Sequence, residues 1–557
     1  MSVDNRMTIR DISQVYDGPH ATPEKIDEGP YFLSISSLEK GALDLSKSAH
    51  ISETDFVKWT KRVTPEEGDL LFSYETRLGD AALMPAGIVG CLGRRMGLLR
   101  PNREKVIPEY LLYAYLSPEF QEIIRANTVH GATVDRIALK DMSSFSIRIP
   151  PLADQERVVS VLSSQDKKIQ LNRQINQTLE AMAQAIFQSW FVDFDPVKAK
   201  IAAREQWQIL TDDQRTEWLN ELLNKQDYLK TCLLELTVKA GLNDDENLQL
   251  ESSLDLISCR GYGPEGSENL DIGINNLRKE WQSKIAGPAL QSASETLYLN
   301  IAAMTAISSR DETSLAGMSA DEFAQLYKTA SLFPERLVES ELGEIPEGWE
   351  YSEIAREVKV LGGGTPSTKV NEYWEDGEYS WTTPKDLSNV REKILLKTER
   401  NITNQGLNKI SSGLLPIDTV LMSSRAPVGY LALAKVPVAV NQGYIAMKCE
   451  DRLPPEYIVQ WADSVMDEIK QRASGTTFAE ISKKNFGVIP VLVPDEELII
   501  EYKNNISKIY KRVECNMLET SFLSDIRDGL LPKLLSGELD VSSLTELSDI
   551  ALAAMDV

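Results

Sequence analysis

The chain has 557 residues, too many for one ordinary domain at about 100 to 200 residues each, so three or four are expected. With 42% apolar and 26% charged residues it can bury a proper core. Five scattered cysteines (Cys91, Cys232, Cys259, Cys449, Cys515) without a CxxC pair or a nearby histidine argue against a disulfide framework or a zinc site and fit a reducing cytoplasm. The net charge of −25 is concentrated: residues 201–344 carry 12 basic against 25 acidic side chains, and the tail from Ser536 adds five acids and no base. The rest is nearly balanced, and balanced regions can still present basic faces. Residues 1–15 mix charged and apolar side chains without a signal-peptide core, and no run of about 18 apolar residues suggests a membrane span.

In chain order the pattern reads as a strand-rich region, a long helix, an acidic stretch, a second strand-rich region and a second long helix. Short apolar, β-branched runs at 69–73, 420–423, 436–440 and 488–493 read as strands. Helical segments close each region, at 108–126 and 455–472. The two regions repeat one another. Gly131-Ala132-Thr133, Ile137 and Lys140-Asp141 precede a Pro-led helix, as do Gly475-Thr476-Thr477, Ile481 and Lys484-Asn485, at an offset of 344. Upstream, Gly68-Asp69-Leu70-Leu71-Phe72-Ser73 matches Ile417-Asp418-Thr419-Val420-Leu421-Met422-Ser423, each followed by an arginine (Arg77, Arg425) and a glycine (Gly79, Gly429). Tyr31-Phe32-Leu33-Ser34 resembles Tyr379-Ser380-Trp381-Thr382. Four matches in one order indicate duplication, giving two α+β domains at 1–150 and 345–493.

From Leu152 to Trp190 there is no Gly or Pro, and Val158, Leu162, Ile169, Leu179 and Ile186 mark a heptad seam through Gln165, Asn172 and Asn176. The second helix offers Tyr502, Ile506, Ile509, Val513, Leu523 and Leu530, with Asn516 and Thr520 interrupting where Asn172 and Asn176 do. Matched interruptions predict that the helices pair as an antiparallel coiled coil, with the domains at its opposite ends. A further stripe, Val161, Ile175, Met182, Phe187, Trp190 and Phe191, is surplus to a two-helix seam and reads as a surface for a partner's helices. The alternative is that it packs on this chain's own domain or insert. Between the helices, residues 201–344 read as a mostly helical acidic insert. Thr211-Asp212-Asp213-Gln214 looks like a capping box, Gly241 ends a Leu-rich stretch, and Trp207, Trp218 and Trp281 suit a protein-contacting appendage or a linker of no further role.

Several longer runs resemble a known family. They include Pro151-Leu152-Ala153-Asp154-Gln155-Glu156-Arg157, Leu171-Asn172-Arg173-Gln174-Ile175-Asn176 and Ser189-Trp190-Phe191-Val192-Asp193-Phe194-Asp195-Pro196. Ser340-Glu341-Leu342-Gly343-Glu344-Ile345-Pro346-Glu347-Gly348-Trp349, Gly363-Gly364-Thr365-Pro366-Ser367-Thr368, Trp381-Thr382-Thr383-Pro384-Lys385-Asp386-Leu387 and the run from Arg527-Asp528-Gly529-Leu530 to Leu539 belong with them. All are similar to the specificity subunits of type I restriction-modification systems. The first domain departs most, with Gly18-Pro19-His20-Ala21-Thr22-Pro23 where GGGTPST would stand.

The resemblance implies two DNA target-recognition domains at 1–150 and 345–493, spacer helices at 151–200 and 494–535, and an acidic tail at 536–557. It further implies double-stranded DNA as ligand and two methylation subunits as partners, which carry S-adenosylmethionine and methylate adenine N6. Restriction and translocation subunits using ATP and Mg would join them, with no cofactor on this chain. A two-headed protein-interaction adaptor of this family that no longer reads DNA is the alternative.

Base edges call for Arg or Lys at guanine and Asn or Gln at adenine. In the second domain the candidates are Lys385, Arg425, Asn441, Gln442, Lys483 and Lys484, with Thr365, Ser367, Thr383 and Thr476 for phosphate. In the first they are His20, Thr22, Ser36, Ser37, Arg77, Arg94, Arg95, Thr133, Arg136 and Lys140. The run Gly362-Gly363-Gly364 is no P-loop, because no lysine follows a glycine there. No metal-spaced histidines, thiol with a flanking base or Asn-Pro-Pro-Tyr/Phe run marks an enzyme.

Overall fold

The computed structural model describes residues 5–19, 21–39, 41–130, 134–223, 288–315, 317–388, 390, 392–425, 427–474 and 479–539. It forms two compact units, Met1–Gln174 with Asn516–Val557, and Ile175–Cys515. No helix among the described residues is long and apolar enough to cross a membrane.

In the first unit the main strands are β1 (Arg6–Thr8), β2 (Ser13–Asp17), β3 (Ile26–Phe32), β4 (Ala49–His50), β5 (Leu70–Ser73), β6 (Ala81–Leu83), β7 (Gly90–Cys91), β8 (Met96–Pro101) and β9 (Ser146–Arg148). They make three sheets: β1-β9, β2-β8-β5-β6 and β4-β3-β7, with β3 and β7 parallel. All four residues of β5 are buried, so this central strand reads as an unbroken apolar run rather than an alternating one. Helices Pro108–Leu116 and Pro118–Ala126 each begin on a proline, where a missing N–H costs nothing. They bury Tyr110, Tyr115 and Phe120 against Phe72.

Residues of both long helices complete that core. Val158 and Leu162 of the helix Leu152–Phe187 and Leu531, Leu534 and Leu535 of the helix Glu496–Ser536 all join it. Arg527 reaches Asp166 at 2.9 Å, while Asn172 Nδ2 donates to Glu519 at 2.7 Å and to the Asn516 carbonyl at 3.5 Å. As one number rises the other falls, so the helices run antiparallel here. Asn172 meets Asn516, its own duplicate at the 344-residue offset.

The second unit carries β10 (Glu350–Glu353), β11 (Lys359–Leu361), β12 (Tyr379–Thr382), β13 (Ile394–Leu395), β14 (Arg400–Ile402), β15 (Val420–Ser423), β16 (Leu431–Ala434), β17 (Val438–Val440), β18 (Tyr444–Lys448) and β19 (Pro490–Val493). Its sheets are β10-β19, β11-β18-β15-β16-β13 and β14-β12-β17, with β12 and β17 parallel. Apart from the added edge strand β13, these three match the first unit's three main sheets in strand order. The small two-stranded hairpins differ: Leu38–Glu39 with Ala42–Leu43 and Thr128–Val129 with Arg136–Ile137 in the first unit, Leu337–Ser340 with Gly343–Pro346 in the second. Two repeated α/β domains on paired long helices are therefore a property of the backbone. In the seam of this unit Tyr502, Ile506, Tyr510 and Val513 are buried; Tyr510 fills the place the heptad reading gave to Ile509.

The insert's described helices, Asp195–Ile209, Asp212–Leu223, Pro288–Ser308, Glu312–Leu315 and Ala320–Ser331, enclose a core of Leu297, Ile301, Met304, Phe323 and Tyr327. The capping box forms: Thr211 N–H donates to Gln214 Oε1 at 2.9 Å, and Gln214 N–H to Thr211 Oγ1 at 3.3 Å. Trp207 is buried, edge-on to Trp218 and beside Tyr298, so that tryptophan builds the insert's own core. Trp281 and Gly241 lie outside the described residues.

Candidate nucleic-acid interface

Hydrogen bonds fix how the repeats correspond. Gly68 N–H donates to Met84 O and Asp418 N–H to Ala434 O; Ser73 N–H donates to Asp80 O and Ser423 N–H to Tyr430 O. Gly68 and Asp418 are thus twins, both left-handed at φ 84° and 64°, a conformation open to glycine and tolerated by aspartate. Gly79 and Gly429 are twins too, at φ 89° and 104°. The same count pairs Ser73 with Ser423 and therefore Glu75, not Arg77, with Arg425. Glu75 bridges Arg136 through the backbone, and Arg425 bridges Glu480. One position holds an acid facing a base in the first unit and a base facing an acid in the second. That inversion corrects the alignment of Arg77 with Arg425.

In the first unit the loops after β3, β5 and β7 carry Ser36, Arg77 and Arg95, and Arg136, on the short strand Arg136–Ile137, joins the loop after β5 through its bridge to Glu75. Arg77 donates to the carbonyls of Ile35 and Ser36 at 3.3 and 3.4 Å and pairs with Asp80 at 2.7 Å. Arg95 pairs with Glu75 at 2.9 Å and donates to Thr76 Oγ1 at 3.3 Å. Thr76 and Arg95 sit at φ 69° and 72°, backbone that a β-branched or long side chain avoids. Such strain collects in functional loops. Arg94, Arg136 and Lys140 are exposed, as is Thr22 on the loop before β3. Ser37 is not available to a groove: it is fully buried, its hydroxyl 2.8 Å from that of Ser48. His20 and Thr133 lie outside the described residues.

In the second unit the glycine run approaches the sheet as a close-fitting loop. Gly364 N–H donates to Val440 O at 3.0 Å, and a Cβ on Gly363 would stand 1.6 Å from that oxygen. Only glycine fits at such an approach. The loop presents Thr365, whose hydroxyl donates to Gln442 Oε1 at 2.7 Å, with Ser367 exposed beyond it. Lys483 lies against it, its ammonium 2.6 Å from where a Gly362 Cβ would be. Asn441 is turned inward, its Oδ1 accepting from Gly443 N–H at 2.8 Å. Thr383 bonds Asp386 at the start of the helix Pro384–Ser388. Lys385 and Arg425 hold surface ion pairs with Glu399 and Glu480, each at 2.9 Å. Exposed pairs of this kind exchange partners at little cost. Lys484 is exposed, and Thr476 lies outside the described residues. Thr365, Gln442 and Lys483 are thus together, whereas Lys385 and Arg425 stand in separate pairs.

The apolar stripe proposed for a partner divides. Phe187, Trp190 and Phe191 are buried: Phe187 and Phe191 pack edge-on against Tyr457, and Trp190 against Phe333 and Tyr502. They anchor the end of the first long helix inside this unit and offer no free surface. Val161 is partly packed on the first unit's core. Ile175 is half-buried, and Met182 remains 49% exposed.

No group of three or more His, Cys, Asp or Glu positioned for a metal occurs among the described residues, and burial pushes the Cys91 thiol up to about 12, far from a reactive thiolate. Two like units, each offering cations and hydroxyls on loops at matching edges, define a duplicated recognition protein. The chain belongs to the type I restriction modification DNA specificity domain family, whose profile matches residues 6–181 and 346–518. It is similar to the type I restriction enzyme HindI specificity subunit of Haemophilus influenzae, 27% identical across 79% of this chain and 80% of that one. It also resembles the MjaIX specificity subunit of Methanocaldococcus jannaschii, 32% identical over 33% of this chain and 46% of that one. A crystal structure of a type I restriction-modification S subunit from M. genitalium aligns over 95% of each chain at 12% identity and a TM-score of 0.41; the assignment rests on the sequence profile. The chain is accordingly a specificity subunit, whose part is recognition rather than catalysis.

Proposed function

We propose that this chain reads a two-part DNA target, one half with each repeated domain, and directs partner subunits to methylate or cut at it. The observation that carries this is the match of the three main sheets, in the same strand order, between two units whose exposed loops differ in charge and side chain. A duplicated scaffold with unlike reading loops is what two different half-sites require. Phosphate contacts from Thr365, Ser367 and Lys483 would set register, base-edge contacts would set sequence, and affinity would fall steeply with salt.

Two methylation subunits bind the exposed faces of the long helices: Leu171, Leu518 and Phe522 in one unit, at 49%, 53% and 64% exposure, and Met182 in the other. Those partners supply S-adenosylmethionine and turn the target adenine out of the stack, since its N6 is otherwise enclosed. ATP and Mg belong to the restriction subunits. The complex works in the cytoplasm, on double-stranded DNA.

The test is to co-express the chain with its methylation subunit and map N6-methyladenine across the host genome. A two-part motif with a fixed gap is expected. A continuous motif, or no new methylation, overturns the reading.

A further inference from the structure

Arg400 belongs to no motif in the sequence, yet it is an exposed cation of the second unit held against two aromatic rings. It lies on β14 opposite Trp381 of β12. Its guanidinium carbon is 3.6 Å from the centre of the Trp374 ring and 5.7 Å from that of Trp381. The two rings meet edge-on, 5.0 Å apart at 84°. Both indole N–H groups are engaged by the glycine loop: Trp381 Nε1 donates to Gly364 O and Trp374 Nε1 to Ser367 O, each at 3.1 Å. With their edges bonded to the loop, the rings offer Arg400 their faces. No carboxylate pairs with Arg400 among the described residues, in contrast to Lys385 and Arg425. At the corresponding cross-strand place in the first unit Phe32 lies opposite Ala49, so this arrangement belongs to one domain alone.

We propose that Arg400 is a DNA-phosphate contact of the second domain, held on the Trp374–Trp381 platform beside the loop that carries Thr365 and Ser367. Stacking occupies only the π faces of a guanidinium; its in-plane N–H donors stay free to fork onto a phosphate. A side chain laid flat across a ring has spent its reach, which suits the DNA backbone and not a base edge in a groove about 8.5 Å deep. The two tryptophans thereby fix the loop hydroxyls and the arginine as one rigid group, so little entropy is lost when DNA arrives.

The inference rests on the DNA-reading function proposed above. The test uses the full chain purified with its methylation subunits, and two duplexes, one carrying the mapped target and one scrambled. Arg400→Ala should weaken both duplexes by a similar factor, about tenfold, and lower the slope of log affinity against log salt by about 1. Trp374→Phe, which keeps a ring under the guanidinium, should retain the wild-type slope; Trp374→Ala should lose it. An unchanged slope and affinity in Arg400→Ala, with wild-type complex binding normally, overturns the proposal. Loss confined to the target duplex also overturns it, making Arg400 a base reader. Failure of the wild-type complex to bind any DNA removes the domain's function itself, and this contact with it.

Discussion

At the scale of single residues, Gly363 separates two explanations of one sequence feature. A glycine-rich loop can lay backbone N–H groups on phosphate, yet at Gly363 the immediate constraint is internal: an added Cβ would meet the Val440 carbonyl at 1.6 Å, whereas at Gly364 the nearest atom is 4.0 Å away. Gly363→Ala should therefore push the loop off the sheet, break the Trp381–Gly364 hydrogen bond, and cost about 1–3 kcal/mol in chemical denaturation. Gly364→Ala should be close to neutral by the same measurement; equal losses in both would show that the loop, not the contact, is the sensitive element.

Glu180 gives a second prediction at this scale. Burial pushes its carboxyl above the usual carboxylate range, and Glu392 and Asp463 add to the rise while the Lys393 N–H, 2.7 Å from Oε1, and the Lys393 charge oppose it. The folded protein holds that proton more tightly than the unfolded chain does. Stability from this group is thus full at acid pH and lost as pH climbs through the raised value. Glu180→Gln keeps an acceptor oxygen without the charge. Its stability should match wild type near about pH 4.5 and exceed it increasingly toward neutrality; a difference independent of pH would refute the assignment. Neither residue's situation was legible beforehand, because close approach and burial come from strands far apart in the chain. The pairing of Glu75 with Arg425 was hidden likewise, since matching arginine to arginine looked better than the true register.

Among elements, the joints between each globular part and its helix show the duplication diverging. In the first unit Tyr113 OH donates to Asp166 at 2.6 Å, and Arg527 completes the group at 2.9 Å. In the second, Gln460 Nε2 donates to the Tyr510 hydroxyl at 2.9 Å. Tyr510 is the 344-residue twin of Asp166, so one geometric joint is built from charged partners in one repeat and neutral partners in the other. Asp166→Ala leaves both Tyr113 and Arg527 short of an acceptor and should cost about 1–3 kcal/mol. Tyr113→Phe should cost less, and the double variant should fall short of the sum. Additive losses would mean the three side chains do not act together. The long helices themselves were plain in the sequence, because a heptad seam is a local pattern. Their ends were not: the surplus stripe ran on to Phe191, but Tyr457, Phe333 and Tyr502, which bury that end, come from other parts of the chain.

For the whole molecule, the duplication was readable because its matches keep the same order along the chain, and the 344-residue offset that the two long helices share constrains an experiment. Asn172 faces Asn516 within the first unit, so the register of the two helices is fixed at that level. Four residues added to one helix alone would throw that register out along the rest of its length, burying polar positions against apolar ones, and methylation of the target should be lost. Four residues added to both, directly after Asn172 and directly after Asn516, lie opposite one another and keep the register on either side. They lengthen the paired segment by about 6 Å at ~1.5 Å per residue, which on DNA rising ~3.4 Å per base pair corresponds to about two base pairs. The mapped motif should then keep both half-sequences and gain a gap wider by about that amount. If the half-sequences change instead, the helices help to choose bases, and length alone does not describe their role.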